Sequence, residues 1–253
     1  ENSPDPAIAA SLDRSPVDLD RSPDGRWIVT ANQESNSVSL IRTEDLQVVD
    51  EVACGVRPVD IQFTSDGSRL LVSAAWSGTV HVMHVGDAAL IREATIEVGF
   101  QPNGIAIAPN GEKAYVGLFA SAEVAEIDLS ELRVTRRFSV GNWPRYLTLS
   151  RDGSRLAVGN GGDANIMVID TASGEALYEE PLANGTNLGQ MRTSADGTYA
   201  YFTWMVYRTN PINVGNIRRG WVLASRIGRV RLDGPSYREA ISLDVPRRAV
   251  ADP

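Results

Sequence analysis

The chain is short of the residues that usually carry chemistry. It has one cysteine in 253 residues, Cys54, so neither an intrachain disulfide nor a CxxCH haem-attachment motif can form within it. It has two histidines, His81 and His84. Residues three apart on a strand point to opposite faces, so this pair cannot easily share a metal. No Gly-x-Ser-x-Gly, His-Glu-x-x-His or phosphate-loop pattern occurs. No apolar run reaches 18 residues, which excludes a membrane-spanning helix, and the polar start Glu1–Pro6 lacks the basic and apolar regions of a secretory signal. Basic charge is scarce as well. With 24 Lys and Arg against 32 Asp and Glu the net charge is −8, which speaks against general nucleic-acid binding, because neutralising phosphates needs a basic face.

What the chain has is a repeat. A turn pair recurs at Asp24-Gly25, Asp66-Gly67, Asn110-Gly111, Asp152-Gly153 and Asp196-Gly197, at spacings of 42, 44, 42 and 44. Such pairs favour hairpins because both central positions tolerate positive φ. A second marker, Gly55, Gly99, Gly141 and Gly185, keeps the same beat, followed by Pro58, Pro102 and Pro144, with Pro16 in the corresponding place of the first unit. Each unit reads as four strands A to D; in the second they are Val59–Thr64, Arg69–Ser73, Thr79–His84 and Ile91–Val98. Four strands per 40 to 45 residues is the β-propeller pattern, in which each blade is covered by its neighbours. The expected organisation is an N-terminal extension 1–15 and blades at 16–55, 56–99, 100–141, 142–185 and 186–245. Residues 246–253 would begin a further blade, since Arg247–Pro253 places a proline where Pro58, Pro102 and Pro144 open theirs. The expectation is part of a longer, seven-bladed ring, with six or eight blades, or a closed ring of five, as alternatives.

The stretches Trp27-Ile28-Val29-Thr30-Ala31-Asn32, Ala114-Tyr115-Val116-Gly117 and Leu156-Ala157-Val158-Gly159-Asn160, each after its Asp/Asn-Gly turn, resemble the YVTN repeat of bacterial and archaeal propellers. The resemblance runs from Pro16 through nearly the whole chain. It implies architecture more than activity, since such repeats serve surface-layer proteins, lactonases and redox enzymes.

In a propeller the D-to-A and B-to-C connections share one face beside the central channel. The first set supplies Arg57, Gln101, Asn103, Trp143, Arg145 and Asn187; the second supplies Trp76, Phe119 and Asn160–Asp163. Aromatic and arginine side chains on loops are the types that carry binding energy, although Trp76 and Trp143 could equally seal neighbouring blades. At alternate positions strand A offers channel candidates: Asp18, Asp60, Tyr146 and Gln190, then Arg192 two positions on. Asp18 and Asp60 could flank a cation, or simply line a watery channel.

The repeat is broken once, by an insertion at Met205–Arg226 between strands B and C of the fifth unit. Asn213 is placed to cap a short helical turn through Arg219. From Met205 to Arg231 there are six arginines (Arg208, Arg218, Arg219, Arg226, Arg229 and Arg231) and no acid, an inversion of the chain's sign that suits an anionic ligand or acidic partner. The same arginines could instead anchor the loop to the acidic remainder. The pattern Tyr207-Arg208, Pro211, Asn216-Ile217, Arg219-Gly220-Trp221-Val222 and Arg226-Ile227 is similar to an element of YVTN propellers that precede a cytochrome c peroxidase-like di-haem module in bacterial secreted proteins. That resemblance implies a periplasmic or extracellular setting and haem in a domain beyond this chain. The expected function is a non-catalytic binding platform for a protein partner or an anionic ligand. The alternatives are the propeller portion of a c-type haem redox enzyme and, third, a lactonase-like hydrolase.

Overall fold

The computed structural model describes residues 13–207, 210–219 and 222–234, and the chain divides into two compact units, Glu1–Ser139 and Val140–Pro253. Five four-stranded antiparallel sheets of propeller-blade type make up nearly all of it.

The repeated turns show why the sheets start where they do. In the first, the Ser22 N–H donates to Trp27 C=O and the Trp27 N–H donates back to Ser22 Oγ, both at 2.9 Å. Asp24 Oδ1 accepts from Ser22 Oγ at 2.7 Å and from the Arg26 N–H at 3.0 Å. The device recurs at Thr64/Asp66, Ser150/Asp152 and Ser194/Asp196. Only the glycine takes positive φ, for example 74° at Gly25 and 73° at Gly153. The aspartate is occupied in capping the loop. The strands are therefore joined by five-residue loops, not by the two-residue turns in which both central positions are left-handed.

The first unit holds three blades: β1 to β4 (Pro16–Arg21, Trp27–Asn32, Ser37–Arg42, Val48–Ala53), β5 to β8 (Pro58–Phe63, Arg69–Ala74, Thr79–Val85, Leu90–Glu97) and β9 to β12 (Pro102–Ile107, Lys113–Leu118, Glu123–Asp128, Arg133–Ser139). Within each, neighbours in sequence pair as neighbours in the sheet. The opening proline sits at a register shift in all three innermost strands, where a missing N–H costs the ladder nothing. The cores lie between blades. Val29, Leu40, Ile61, Leu70 and Met83 fill one seam, and Val80, Val82, Val116, Leu118 and Ile127 the next. Cys54 packs against the first seam, and burial pushes its thiol up to about 12, so it behaves as an apolar side chain.

The second unit holds the fourth blade, β13 to β16 (Pro144–Leu149, Arg155–Asn160, Asn165–Asp170, Ala176–Pro181), and a fifth of different build. Its innermost strand is split into β17 (Gly185–Thr186) and β18 (Met191–Thr193); β19 (Tyr199–Tyr207) and β20 (Leu223–Arg231) then form a long hairpin. Met191, Phe202, Trp204 and Val230 pack against Ala157, Ile166 and Val168 of the fourth blade. The strands run into both ends of the expected insertion 205–226, because residues 199–207 pair throughout with 223–231. Pairing in the hairpin ends at Tyr207 and Leu223. Residues 246–253, expected to open a further blade, and the loop residues Arg208 and Trp221 lie outside the described residues.

Candidate interaction face

The connections from strand D to the next strand A share one geometry. Arg57, Gln101, Trp143 and Asn187 all have left-handed backbones, with φ of 60°, 52°, 57° and 51°, a conformation that non-glycine residues adopt only at a cost of about 1 kcal/mol or more. In the first three the turn aims the carbonyl at the B-to-C loop of the same blade. Arg57 C=O accepts from the Ala75 N–H at 2.9 Å, Gln101 C=O from Phe119 at 3.0 Å and Trp143 C=O from Gly161 at 3.0 Å. Asn142 adds to the tie in the fourth blade, donating its N–H and side-chain amide to the two oxygens of Asp163 at 2.7 and 2.9 Å. That carboxylate thus ties the Asn160–Asp163 turn to the D-to-A connection. In each unit these loops therefore lie together, and of the residues at the left-handed position Trp143 and Asn187 are exposed while Arg57 and Gln101 are half-buried.

In the first unit the loops form a chain: Trp76 N–H donates to Val56 C=O at 3.1 Å, and the N–H of Gly99 donates to Gly78 C=O at 3.2 Å. Val56, Trp76 and Phe100 are exposed along it, Trp76 by 63%. Trp76 seals no seam. The Arg57 guanidinium lies 4.8 Å from the Trp76 ring centroid and makes no ion pair among the described residues. In the second unit Trp143 is 55% exposed. Arg145 and Asn103 are the second residues of β13 and β9 rather than loop residues; Arg145 stacks 5.3 Å over Tyr146, and Asn103 C=O accepts from Ser73 Oγ.

Sequence reasoning missed the work of the channel carboxylates. Asp18 Oδ2 accepts the Ile61 N–H at 3.1 Å, and Asp20 Oδ2 the Phe63 N–H at 2.9 Å. Asp60 Oδ2 accepts the Ile105 N–H at 2.5 Å, and Gln62 Oε1 the Ile107 N–H at 3.0 Å. Each inner strand would otherwise leave N–H groups open along its edge, and the preceding blade satisfies them. Asp18 and Asp60 thus stitch one blade to the next. Among the described residues no cluster of three or more His, Cys, Asp or Glu is placed to hold a metal. In the second unit Thr148 and Thr193 hydroxyls meet at 2.8 Å, Arg192 is exposed, and Gln190 falls in the gap between β17 and β18, where the inner strand is broken.

The arginines of the fifth blade divide by burial. Arg226 is 7% exposed, on the strand position that pairs with Trp204, because β20 extends further than the sequence pattern suggests. Arg229 stacks 4.3 Å over Tyr199, and Arg231 binds both oxygens of Asp233 at 2.8 and 2.9 Å. These three belong to the blade. Arg218 and Arg219 are exposed at the end of a one-turn helix, α1 (Val214–Arg218). Asn213 caps it, its side chain accepting the Asn216 N–H at 2.8 Å.

Neither histidine is poised for catalysis. His81 is buried and its Nε2 accepts the Gly55 N–H at 2.9 Å, whereas His84 lies exposed on the other face of β7.

The loops of each unit stand on a repeated frame, and comparison with known proteins agrees with the frame. No family model matches the chain, and no curated protein matches it. The chain is similar to hydrazine synthase from Kuenenia stuttgartiensis. The two are 28% identical with a TM-score of 0.79, over 87% of this chain and 64% of that one, so the chain spans just under two-thirds of its relative. No helix among the described residues is long and apolar enough to cross a membrane.

Proposed function

We propose that this chain is the non-catalytic binding platform of a larger periplasmic or extracellular protein, engaging a protein partner or an anionic ligand through its D-to-A and B-to-C loops. The observation that carries this reading is the Arg57–Trp76 pair: a tryptophan 63% exposed, covered on one side by a cation that has no acidic partner among the described residues. Tryptophan and arginine are the residues that dominate binding hot spots, and here a left-handed backbone fixes Arg57 while the Trp76 N–H is tied to Val56 C=O. The YVTN-like repeat supports the extracytoplasmic setting. The test is affinity capture from the host's periplasmic and secreted fractions with the wild type and with Trp76→Ala and Arg57→Ala, quantified by mass spectrometry. Hot-spot behaviour predicts a loss of roughly 30-fold for Trp76→Ala with unchanged thermal unfolding. Equal recovery by all three proteins would reject the platform.

A second reading is favoured by two observations of its own, the inserted hairpin and the likeness to hydrazine synthase. In it the chain is the propeller portion of a c-type haem redox enzyme whose haem lies in a further domain. The full reading frame should then encode CxxCH motifs and the full-length protein should show a Soret band. A lactonase-like hydrolase stands third, since His81 is committed to a backbone N–H and His84 lies on the opposite face of its strand.

A further inference from the structure

The tip of the inserted hairpin is unlike the other loops. Ile212, Val214 and Ile217 are 73%, 65% and 56% exposed, and α1 buries no residue at all. A helical turn with nothing to cover it is normally a poor candidate for order. This one is held from within, by the Asn213 cap and by Asn216 Nδ2 donating to Pro211 C=O at 2.8 Å. It is also lifted. β19 and β20 each run nine residues where β14 and β15 run six, so three further pairs carry the tip about 10 Å beyond the length of an ordinary strand.

The charge at the tip has one sign. Residues 205–231 contain no acid, Arg218 and Arg219 are exposed beside Ile217, and Asp233, the next acid along, is taken by Arg231. From these observations we infer that the hairpin tip is a docking finger for an acidic protein surface containing an apolar recess, with Ile217 and Val214 entering the recess and Arg218 and Arg219 meeting carboxylates at its rim. The inference rests on the loop face being the binding face.

Charge and size favour a protein over a lipid surface. Retention at anionic headgroups takes a cluster of roughly four to eight basic residues. The tip presents two, on a chain whose net charge of −8 is repelled by such a surface. A single helical turn also offers little apolar area to the interface. A recess in a protein, by contrast, needs only a few apolar anchors, and an internally braced turn loses little entropy on entering it.

The test places the photo-crosslinker benzoylphenylalanine at Ile217, and separately at Trp76, in the full-length protein in its host, and sequences the crosslinked peptides. The expected result is an intermolecular crosslink from Ile217 to one protein, in a peptide carrying both acidic and apolar residues. Its yield should fall about tenfold when Arg218→Gln and Arg219→Gln are added. No crosslink at Ile217, a crosslink back into the same chain, or a partner peptide without acids overturns the finger. So does co-sedimentation of the wild type with phosphatidylglycerol vesicles that Ile217→Ser abolishes. A partner crosslinked from Trp76 but not from Ile217 overturns the finger and leaves the platform standing; silence at both positions overturns both.

Discussion

His81 shows how one side chain can be removed from chemistry by its surroundings. The Gly55 N–H donates to Nε2, so that nitrogen carries no proton and the ring is neutral, with Nδ1 facing the Thr95 hydroxyl at 3.2 Å. Burial, with the nearby Arg92 second, pushes the imidazole down to about 4. The unfolded chain therefore takes up a proton near pH 6.5 while the folded chain does so only near pH 4, and stability falls as pH drops through that interval. Urea unfolding at a series of pH values should show this fall, and His81→Leu should flatten it. The same variant leaves the Gly55 N–H unpaired and should lose about 1–3 kcal/mol at neutral pH. A pH dependence unchanged by the substitution would mean that another group is responsible. The turn aspartates act lower. Hydrogen bonds from Ser150 and Ser154 hold Asp152 at about 2, so its contribution is present above the usual carboxylate range and is lost only as pH falls towards 2.

At the level of elements, the stitching of one inner strand to the next sets what each blade can tolerate. Asp60→Ala removes the acceptor of the Ile105 N–H and exposes nothing in exchange, so chemical denaturation should report a loss of about 1–3 kcal/mol. Asp60→Asn keeps a carbonyl oxygen at the site and should lose less than half as much. In the third blade the equivalent positions are Gly104 and Ala106, which carry no acceptor. This role could not be read from the sequence, because the partner of Asp60 is a backbone N–H 45 residues away and a carboxylate facing a channel looks the same whether it holds water, a cation or a strand edge. The blades themselves were legible. The Asp-Gly beat comes from a loop whose left-handed position admits glycine far more readily than any other residue, and the strands A to D of the second blade lie within one or two residues of the expected spans. The bounds of the insertion were half legible: Tyr199–Trp204 alternates in burial, but Met205–Tyr207, which pair on into the hairpin, do not. The burial of Arg226 was not, since a lone arginine on a strand gives no sign of its depth until its neighbour Trp204 is placed across from it.

At the level of the molecule, a chain of net charge −8 that carries its longest acid-free stretch, residues 197–232, on a long hairpin has a built-in orientation for an acidic partner. Most approaches are repelled, and the approach that leads with Arg218 and Arg219 is not. Exposed charges of this kind act on encounter and are screened over about 10 Å at 0.1 M salt, whereas apolar contacts act after encounter and set how long the complex lasts. The two parts of the tip should therefore separate in kinetics. With the captured partner on a biosensor, the association rate should fall as salt rises. Arg218→Gln with Arg219→Gln should lower that rate several-fold and flatten its salt dependence, with dissociation nearly unchanged. Ile217→Ala should do the reverse, leaving association alone and speeding dissociation by about tenfold. If the arginine pair instead changed dissociation alone, with no effect of salt on association, its guanidiniums would be buried contacts of the complex, and the steering role assigned to the finger would be lost.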